Sequence, residues 1–364
     1  MKYHIAFGCP TNLETIAHES SQGRCPRHAM LLLQARLNTT MHVPEADRVN
    51  FTDRLNAKLI GTPATWAMAR RLAKQLSEED VVIATGEDIG IPLAFLFSQK
   101  RNRPKLAIVT HNLDRPKARL LLKLWQIHKH VDLFLPLCTP QADFLKRHLS
   151  VPALRVQQLP GHADQQFFTP GSPASLKTRP TIVSVGLEQR DYRVLAEATA
   201  DLEVDVRISA FSRDAKAIGR VFPKVMPANM THQFYAWREL VQLYRDADLV
   251  VVSTIDNKYA AGVTTLVEAI ACRRPVIASA SQGLTEYLIP GMIDSFIPGD
   301  ATGLKQAIIR HLSDRQQAEA KAALSYDFAM QHYSMERHVD AIVESLRVVG
   351  LTKFRQQLQT SIGT

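Results

Sequence analysis

Residues 247–300 constrain the fold more than any other part of the chain. Leu249–Ser253 is a short, β-branched apolar run, which is typical of a strand buried on both faces. A polar loop leads to Gly262 and then to Val263–Cys272, where apolar residues recur at helical spacing. A second buried strand is predicted at Val276–Ser279. The stretch therefore predicts a strand–helix–strand unit of a parallel sheet, with the N-terminus of the helix beyond the carboxyl end of the first strand.

The N-terminus of this predicted helix has the properties of an anion site. Its first backbone N–H groups have no partner within the helix and carry partial positive charge, so they attract phosphate. Gly262 lets the backbone approach a bulky anion, and Thr264 and Thr265 add hydroxyl groups. Glu268 is predicted on the same face, where its carboxylate can accept both hydroxyls of a ribose. An ordinary crossover helix with a glycine in its entry loop explains the same spacing equally well.

Three pieces of this stretch together resemble a known family. They are GVTTLVEAIAC at 262–272, GLTEY at 283–287 and FIPGD at 296–300. In this combination they resemble the donor-binding segment of GT-B glycosyltransferases of the family 4 type. The resemblance implies an α/β fold of GT-B architecture, in which two Rossmann-like, doubly wound domains face a cleft and the C-terminal helices cross back to the first domain.

The resemblance also implies an activity. Members of this family move a sugar from a nucleotide diphosphate sugar to an acceptor hydroxyl. The resemblance implies a hexosyltransferase that retains the anomeric configuration and needs no metal ion. No cofactor besides the donor co-substrate is expected. Arg190 corresponds to a lysine of the family that binds the donor pyrophosphate, and the loop Ala210–Arg213 lies where the family contacts the nucleobase. The donor-binding residues implied in this chain are Gly186, Arg190, Ser253, Gly262, Val263, Thr264, Thr265 and Glu268.

Two positions depart from the family's pattern. Members typically have a glutamate eight positions before the one that corresponds to Glu268, and it touches the transferred sugar; this chain has Ala260 there. Leu187 stands where the family has an arginine for the pyrophosphate. Either backbone groups and a neighbour such as Asp256 or Asn257 hold the sugar, or the activity is altered.

The first half of the chain is expected to supply the acceptor side of the cleft. The predicted strand Leu106–Thr110 ends at His111, and residues just past the carboxyl end of a strand point into the ligand crevice of such sheets. His111 matches a family histidine that faces the transferred sugar, so it is predicted to be catalytic together with Arg190 and Glu268. Turn capping is the alternative for His111. The residues assigned to the acceptor side or the cleft are Gly23, Glu87 and Asn112.

The predicted elements divide the chain into four parts. Residues 1–168 form the acceptor-binding domain, 169–180 a proline-rich linker, 181–334 the donor-binding domain, and 335–364 a C-terminal helix and tail that pack back on the first domain. Within the first domain the sequence predicts a long loop over Gly8–Pro26, with Gly23 either over the cleft or on a plain surface. It also predicts a strand at Leu154–Leu159 and a basic helix at Arg115–His130.

Charge is distributed unevenly along the chain, whose formal net charge is +9. Residues 1–165 contain 22 Lys and Arg against 14 Asp and Glu, whereas residues 166–364 contain 22 against 21. A basic half suggests an anionic partner, such as a membrane surface or an acidic acceptor. Nucleic acid is disfavoured because no helix-turn-helix, zinc or RNA-recognition pattern accompanies the charge. The basic helix has apolar residues almost all round, which favours burial over a membrane-lying position.

Cysteine usage and hydropathy restrict the compartment. The four cysteines, Cys9, Cys25, Cys138 and Cys272, show no metal-type or disulfide-type spacing. No apolar run approaches the roughly 18 residues needed to span a bilayer, and the N-terminus does not read as a signal peptide. The sequence predicts a cytoplasmic protein, either free or peripheral on the inner membrane face, whose acceptor is a lipid, a polysaccharide or a small metabolite.

Two other classes of function remain open at this point. A nucleotide-sugar epimerase on the same fold would use carboxylates of the cleft, for which Glu87, Asp88 and Asp114 are the candidates. A non-catalytic subunit that binds nucleotide sugars would explain Ala260 and Leu187. No lysine motif supports a pyridoxal-type phosphorylase.

Overall fold

A computed structural model describes residues 1–174, 177–210 and 221–351, and it contains two parallel β-sheets. The first sheet has the strand order β2-β1-β3-β4-β5. Its strands are β1 (Lys2–Ala6), β2 (Thr40–His42), β3 (Asp80–Ala84), β4 (Lys105–Thr110) and β5 (Leu133–Pro136). Alternate residues of β3 enter two different cores: Val82 packs into one and Val81 into the other. The apolar run is continuous because helices cover both faces of the sheet.

Seven α-helices of the first half of the chain accompany this sheet among the described residues. They are α1 (Leu13–Ser21), α2 (Ala29–Leu37), α3 (Phe51–Asn56), α4 (Pro63–Gln75), α5 (Glu87–Ser98), α6 (Pro116–Trp125) and α7 (Thr139–Asp143). The start of α4 shows why they begin where they do: the Thr62 hydroxyl accepts a hydrogen bond from the Thr65 backbone N–H at 3.2 Å. Pro63, which has no N–H to satisfy, occupies the first turn.

The second sheet has the order β11-β10-β9-β6-β7-β8. Its strands are β6 (Thr181–Val185), β7 (Asp205–Ser209), β8 (Met230–His232), β9 (Leu249–Val252), β10 (Val276–Ser279) and β11 (Asp294–Phe296). The accompanying helices are α8 (Tyr192–Thr199), α9 (Trp237–Asp246), α10 (Val263–Ala271), α11 (Ala301–Ser313) and α12 (Arg315–His332). The chain order reverses between β6 and β9, which is where an open α/β sheet binds its ligand.

The last described helix, α13 (Met335–Val348), returns to the first sheet. Val339, Ile342 and Leu346 are fully buried in the core that also contains Ile5 of β1. The Tyr3 hydroxyl donates to the Leu351 carbonyl at 3.1 Å. The crossing-back helix is thus present, while the domain boundaries at 168 and 180 stay a prediction, and residues 352–364 of the tail lie outside the described part of the chain.

The predicted strand at Leu154–Leu159 is wrong. Ala153–Arg155 forms a 3₁₀ turn after Pro152, and only a single parallel bridge joins Val156 to Phe134 of β5. Two further backbone hydrogen bonds, one of them from the Leu159 N–H to the Pro136 carbonyl at 2.9 Å, keep the segment beside the sheet. The flanking prolines limit the pairing because proline has no N–H to donate.

The predicted loop Gly8–Pro26 contains α1. Asn12 caps this helix by accepting a hydrogen bond from the Thr15 N–H at 3.0 Å. The helix has no buried residue, so the sequence lacks the apolar period from which helices are recognised.

The predicted basic helix Arg115–His130 is shorter than expected. It ends at Trp125, because Gln126 has a positive φ of 49°, and a single 3₁₀ turn follows. Leu121 and Leu122 are buried as expected, but Leu120 and Leu124 are 57% and 65% exposed. The prediction of apolar burial all round the helix is therefore wrong for one of its faces. In the described parts of the chain, we find no helix with the length and hydropathy of a membrane span.

Candidate functional site

The turn into α10 forms the floor of the site. Gly262 is the N-cap residue of this helix and has a φ of 97°, in the left-handed region that favours glycine. A Cβ atom at this position would lie 2.9 Å from Cγ1 of Val252. The backbone therefore needs glycine here both for its conformation and for its close approach to β9. Val263 is buried and Thr264 is exposed at the first turn.

Arg190 is a buried cation in front of this turn, with only 6% of its surface exposed. Its Nε donates to the Val185 carbonyl at 2.8 Å, its Nη1 to the Glu188 carbonyl at 3.0 Å and its Nη2 to the Thr265 hydroxyl at 2.8 Å. These bonds use three of its five N–H groups. Within the described ranges no carboxylate lies within 4.0 Å of it. Arg190 is therefore a buried residue that bonds the backbone carbonyl of Glu188, not a surface arginine paired with the Glu188 side chain.

Gly186 makes room for this arginine. It has a φ of 97°, and a Cβ atom built on it would lie 2.5 Å from Nη2 of Arg190. The predicted glycine of the turn after β6 therefore has a steric role as well as a conformational one.

Two predicted donor-binding hydroxyls differ in whether they already form hydrogen bonds within the chain. Thr265 accepts the bond from Arg190 and donates to the Val185 carbonyl at 3.1 Å, so it supports the arginine rather than facing a ligand. Ser253 is 1% exposed, and its Oγ has no hydrogen-bond partner among the described residues. A buried hydroxyl without a partner is costly, and Ser253 directly follows β9 at the ligand edge of the sheet.

Glu268 lies on α10 and is 8% exposed. Burial raises its pKa to about 7, against the opposing influence of Tyr244 and Arg190, which stabilise the carboxylate. Its Oε2 accepts a hydrogen bond of 2.8 Å from the Tyr244 hydroxyl. Sequence reasoning missed Tyr244. A tyrosine on the apolar face of α9 looks like an ordinary core residue in the sequence. Only the folded structure shows that it contacts Glu268.

Glu87 supports the turn that follows β4. Its carboxylate accepts hydrogen bonds from the backbone N–H of His111 at 3.0 Å, from that of Asn112 at 2.9 Å and from Nη2 of Arg115 at 2.9 Å. Burial alone would raise the pKa of Glu87, but His111 and the two backbone N–H groups outweigh it, so the pKa is lowered. The imidazole of His111 is exposed, and its Nε2 lies 3.1 Å from the Thr85 carbonyl oxygen.

The carboxylates required by an epimerase are engaged with arginines. Asp88 lies 3.8 Å from Arg115, and Asp114 lies 3.4 Å from Arg119. Glu87 has a lowered pKa and so is held ionised. A carboxyl group that acts as a general acid near neutral pH needs a raised pKa. The arrangement therefore disfavours the epimerase alternative.

Contacts between the two halves surround the site. Arg238 of α9 donates to the Gly23 carbonyl at 2.9 Å and to the Gln22 carbonyl at 3.0 Å, so Gly23 lies where the first half meets the second. On another side, Gln141 donates to the Lys258 carbonyl at 2.9 Å. The loop that leads to Gly262 is thus held by a residue of the first half.

The glutamate of the GLTEY piece also reaches the first half. Glu286 accepts hydrogen bonds from the Gln158 side chain at 2.6 Å and from the Thr139 backbone N–H at 3.2 Å. The Thr139 hydroxyl donates to the same carboxylate. Glu286 therefore joins the two halves of the chain.

The two departures from the family pattern lie in apolar surroundings. Leu187 is 8% exposed within a core of the second sheet, and Ala260 is half-buried against the other core.

The polar neighbours of Ala260 have hydrogen-bond partners within the chain. Asp256 accepts hydrogen bonds from the Gln282 backbone and side chain at 3.1 and 2.9 Å. Asn257 donates to the Ile255 carbonyl at 2.9 Å, which closes its own loop. Of the loop Ala210–Arg213, residues 211–213 lie outside the described part of the chain.

The sequence contains an Asp-x-Asp triplet at 246–248, a pattern that can bind a metal-bound donor, but it lies at the amino end of β9, away from the site. Asp248 accepts from Lys177 at 2.6 Å and from the Thr181 N–H at 2.7 Å. Asp246 accepts from the Ala174 N–H at 2.8 Å. Over the described ranges, no group of three or more His, Cys, Asp and Glu side chains is arranged to hold a metal ion.

Comparisons with known proteins agree with this fold. Residues 179–314 match the model of the family described as glycosyl transferases group 1. The chain is similar to sucrose-phosphate synthase from Thermosynechococcus elongatus, with a TM-score of 0.70 at 16% identity over 95% of this chain and 98% of that one. It is also similar to Anabaena HepE solved with UDP-glucose, with a TM-score of 0.69 at 14% identity over 95% and 100% of the two chains.

A glycosyltransferase from Rickettsia africae gives a TM-score of 0.65 at 15% identity, covering 96% of this chain and 100% of that one. A search among curated proteins gives no match. At such identities the likeness of the solved structures concerns the fold, and the predicted two-domain architecture is confirmed.

Proposed function

We propose that this chain of GT-B fold is a group 1 glycosyltransferase, which transfers a sugar from a nucleotide diphosphate sugar to an acceptor hydroxyl. The donor binds on the second sheet at the turn into α10, and the acceptor approaches from the first sheet across the cleft. The finer parts of the proposal are a hexosyl donor, retention at the anomeric carbon and a reaction without a metal ion or cofactor. Retention rests on the family resemblance.

The buried guanidinium of Arg190 carries the proposal. It lies 2.8 Å from the Thr265 hydroxyl on the first turn of α10, and no carboxylate among the described residues lies within 4.0 Å of it. Two of its N–H groups remain for phosphate oxygens. A helix N-terminus and a preorganised arginine together stabilise the charge that develops on a nucleoside diphosphate leaving group. This positive charge supports a mechanism that needs no metal ion.

Glu268 and Ser253 complete the proposed donor site. The carboxylate of Glu268 accepts ribose hydroxyls, and the Ser253 hydroxyl, which has no partner in the described part of the chain, supplies one polar contact. Since HepE was solved with UDP-glucose and with UDP, a uridine nucleotide is the first donor to test. His111, exposed just past β4, is proposed to face the sugar from the acceptor side.

A lipid-associated acceptor is the second part of the proposal. One face of α6 exposes Leu120 and Leu124 between Lys117 and Lys123. Exposed apolar side chains flanked by cations are the features of a surface that lies on an anionic membrane. We therefore propose that α6 contacts the membrane and brings the cleft to an acceptor in or near it.

The proposed function is tested by a thermal-shift panel of UDP, GDP, ADP and CMP without metal. Binding to the folded state raises the melting temperature by mass action. We expect a shift with one nucleotide, and a loss of about tenfold or more in affinity for Arg190→Ala, because its bonds to phosphate are charge-assisted. Arg179→Ala, which removes an exposed arginine paired with Glu203 at 2.8 Å, is the matched control. No shift with any nucleotide contradicts the donor site.

A further inference from the structure

A polar cavity lies at the C-terminal end of α10, opposite the proposed donor site at the N-terminus of the same helix. It has a volume of about 280 Å³ and is formed where the turn after α10 meets the start of α12. The nine residues of α10, at 1.5 Å each, separate it from Gly262 by about 14 Å. Its charged lining residues are Asp248, Arg273, Arg274, Arg315 and Glu319. This cavity is therefore distinct from the donor site.

Three arginines of this lining are without ion pairs. Arg274 is half-buried and uses its Nε and Nη1 for backbone carbonyls, at 3.1 Å from Cys272 and at 3.3 and 3.4 Å from Arg245 and Ala247. Its Nη2 has no acceptor in the described part of the chain. Arg273 and Arg315 are exposed. None of the three lies within 4.0 Å of a carboxylate, as far as the described residues extend.

The two carboxylates of the lining do not neutralise them. Asp248 accepts hydrogen bonds from Lys177 at 2.6 Å and from the Thr181 N–H at 2.7 Å, so its charge is already matched by a lysine. Glu319 is exposed on α12, four residues after Arg315. The cavity therefore has an excess of positive charge. Among its described lining residues, Glu319 is the one carboxylate that no lysine or arginine pairs with.

A buried polar atom in the lining also lacks a partner. His311 is 7% exposed, and its Nε2 lies 2.5 Å from Oδ2 of Asp294. Its Nδ1 has no hydrogen-bond partner among the described residues. Since the Asp294 carboxylate accepts a hydrogen bond from Nε2–H, Nδ1 of the neutral ring has no proton and is an acceptor. A ligand that carries a hydroxyl group satisfies it, and an unsatisfied buried group of this kind costs free energy.

The backbone conformation at Arg273 also indicates that this part of the cavity has a function. Its φ is 55°, in the left-handed region just after a helix, where glycine is the favoured residue. A side chain with a Cβ atom is strained there. The chain thus has an arginine at a position where glycine would fold more easily, and local strain of this kind accumulates at functional sites.

We propose that this cavity binds a small phosphate-bearing anion, either inorganic phosphate or the phosphate monoester of a small molecule. Arg273, Arg274 and Arg315 hold the phosphate oxygens, and Nδ1 of His311 accepts a hydrogen bond from a hydroxyl group of the ligand. The volume lies just below the range for ligand pockets, which begins at about 300 Å³, so the ligand is small. The site does not depend on the proposed transferase activity.

The test is calorimetric titration of the full chain at constant ionic strength, with inorganic phosphate and glucose 6-phosphate as separate probes. We expect saturable binding of one equivalent in the Arg190→Ala background, in which the phosphate contacts of the donor site are weakened. Arg273→Gly and Arg315→Ala each weaken it by roughly tenfold, because each removes charge-assisted hydrogen bonds. Arg273→Gly relieves the left-handed strain, so its melting temperature is not lowered, and weaker binding cannot be attributed to misfolding. Glu319→Gln tightens binding because it removes a repulsive charge.

Controls separate this site from the donor site and from general surface charge. Arg54→Ala removes an exposed arginine elsewhere in the chain and leaves the binding unchanged. Arg190→Ala, which weakens nucleotide binding, also leaves phosphate binding here unchanged. The proposal is overturned if Arg273→Gly and Arg315→Ala bind both probes as the wild type does, or if UDP displaces them. Tighter binding of glucose 6-phosphate identifies an organic phosphate, and equal binding identifies the free ion.

Discussion

The hydroxyl of Tyr244 donates a hydrogen bond of 2.8 Å to Oε2 of Glu268, between two side chains that are both buried. Twenty-four residues separate the two in sequence. The pair lies beneath the proposed ribose position, and burial raises the pKa of Glu268 to about 7. The protonation state of this carboxyl group is therefore coupled to nucleotide binding near neutral pH.

Nucleotide affinity is expected to rise with pH. Ribose hydroxyls donate to the ionised carboxylate, so nucleotide binding favours the ionised form of Glu268. This form dominates when the pH is above its pKa of about 7. Below that pH the affinity for UDP should approach a tenfold fall per pH unit. Calorimetric titration between pH 6 and 8 measures this, with Glu268→Gln as the comparison. An equal pH slope in the wild type and in Glu268→Gln would assign the effect to another group.

The same carboxyl group makes the stability of the unliganded protein depend on pH. Its pKa is about 7 in the folded state against its ordinary value of 4.5, so the folded state binds more protons between these values. The stabilisation is complete below pH 4.5 and is lost as the pH rises through 7. Urea unfolding at pH 5 and pH 8 should show that the wild type loses about 2.5 kcal/mol relative to Glu268→Gln. A difference that does not change with pH contradicts this.

Tyr244→Phe should raise the pKa of Glu268 further. The Tyr244 hydroxyl stabilises the carboxylate, and its loss leaves a buried acceptor without this donor. We expect a loss of about 1–3 kcal/mol in the free energy of unfolding and a pH profile of UDP binding displaced to higher pH. Tyr326→Phe is the control, because this half-buried tyrosine has no hydrogen bond to lose among the described residues. If Tyr244→Phe keeps the wild-type profile, Tyr244 does not position Glu268.

The elements around this pair differ in how well the sequence predicts them. β10 has the predicted bounds and α10 begins at the predicted residue, Val263, because a continuous apolar run and a helical apolar period are local signals. The contact of Arg190 with Thr265 joins residues 75 positions apart, and no local pattern reports it. The same holds for Tyr244 and Glu268. The helix α1 was missed for a different reason, since it buries no residue.

Gly186→Ala should disturb the donor site through Arg190. A Cβ atom at Gly186 would lie 2.5 Å from Nη2 of Arg190, at a backbone φ of 97°. We expect about 1–2 kcal/mol of backbone strain, an overpacking cost of about 1–3 kcal/mol, and weaker UDP binding. Gly299→Ala is the matched control: its φ is 86°, but a Cβ atom there meets nothing within 4 Å. Equal UDP affinity in the two variants would mean that Gly186 does not position Arg190.

Membrane contact through α6 is tested on its two exposed leucines. Leu120 and Leu124 are 57% and 65% exposed, one helical turn apart, and Lys117 and Lys123 flank them. The double variant Leu120→Glu, Leu124→Glu should lose sedimentation with vesicles of phosphatidylcholine and phosphatidylserine, because it removes apolar burial and adds negative charge to the contact. Leu154→Glu is the control, since Leu154 is also 57% exposed but lies away from α6. Wild-type protein that stays in the supernatant with these vesicles rules out the membrane contact, and UDP binding by the double variant confirms that its donor domain is folded.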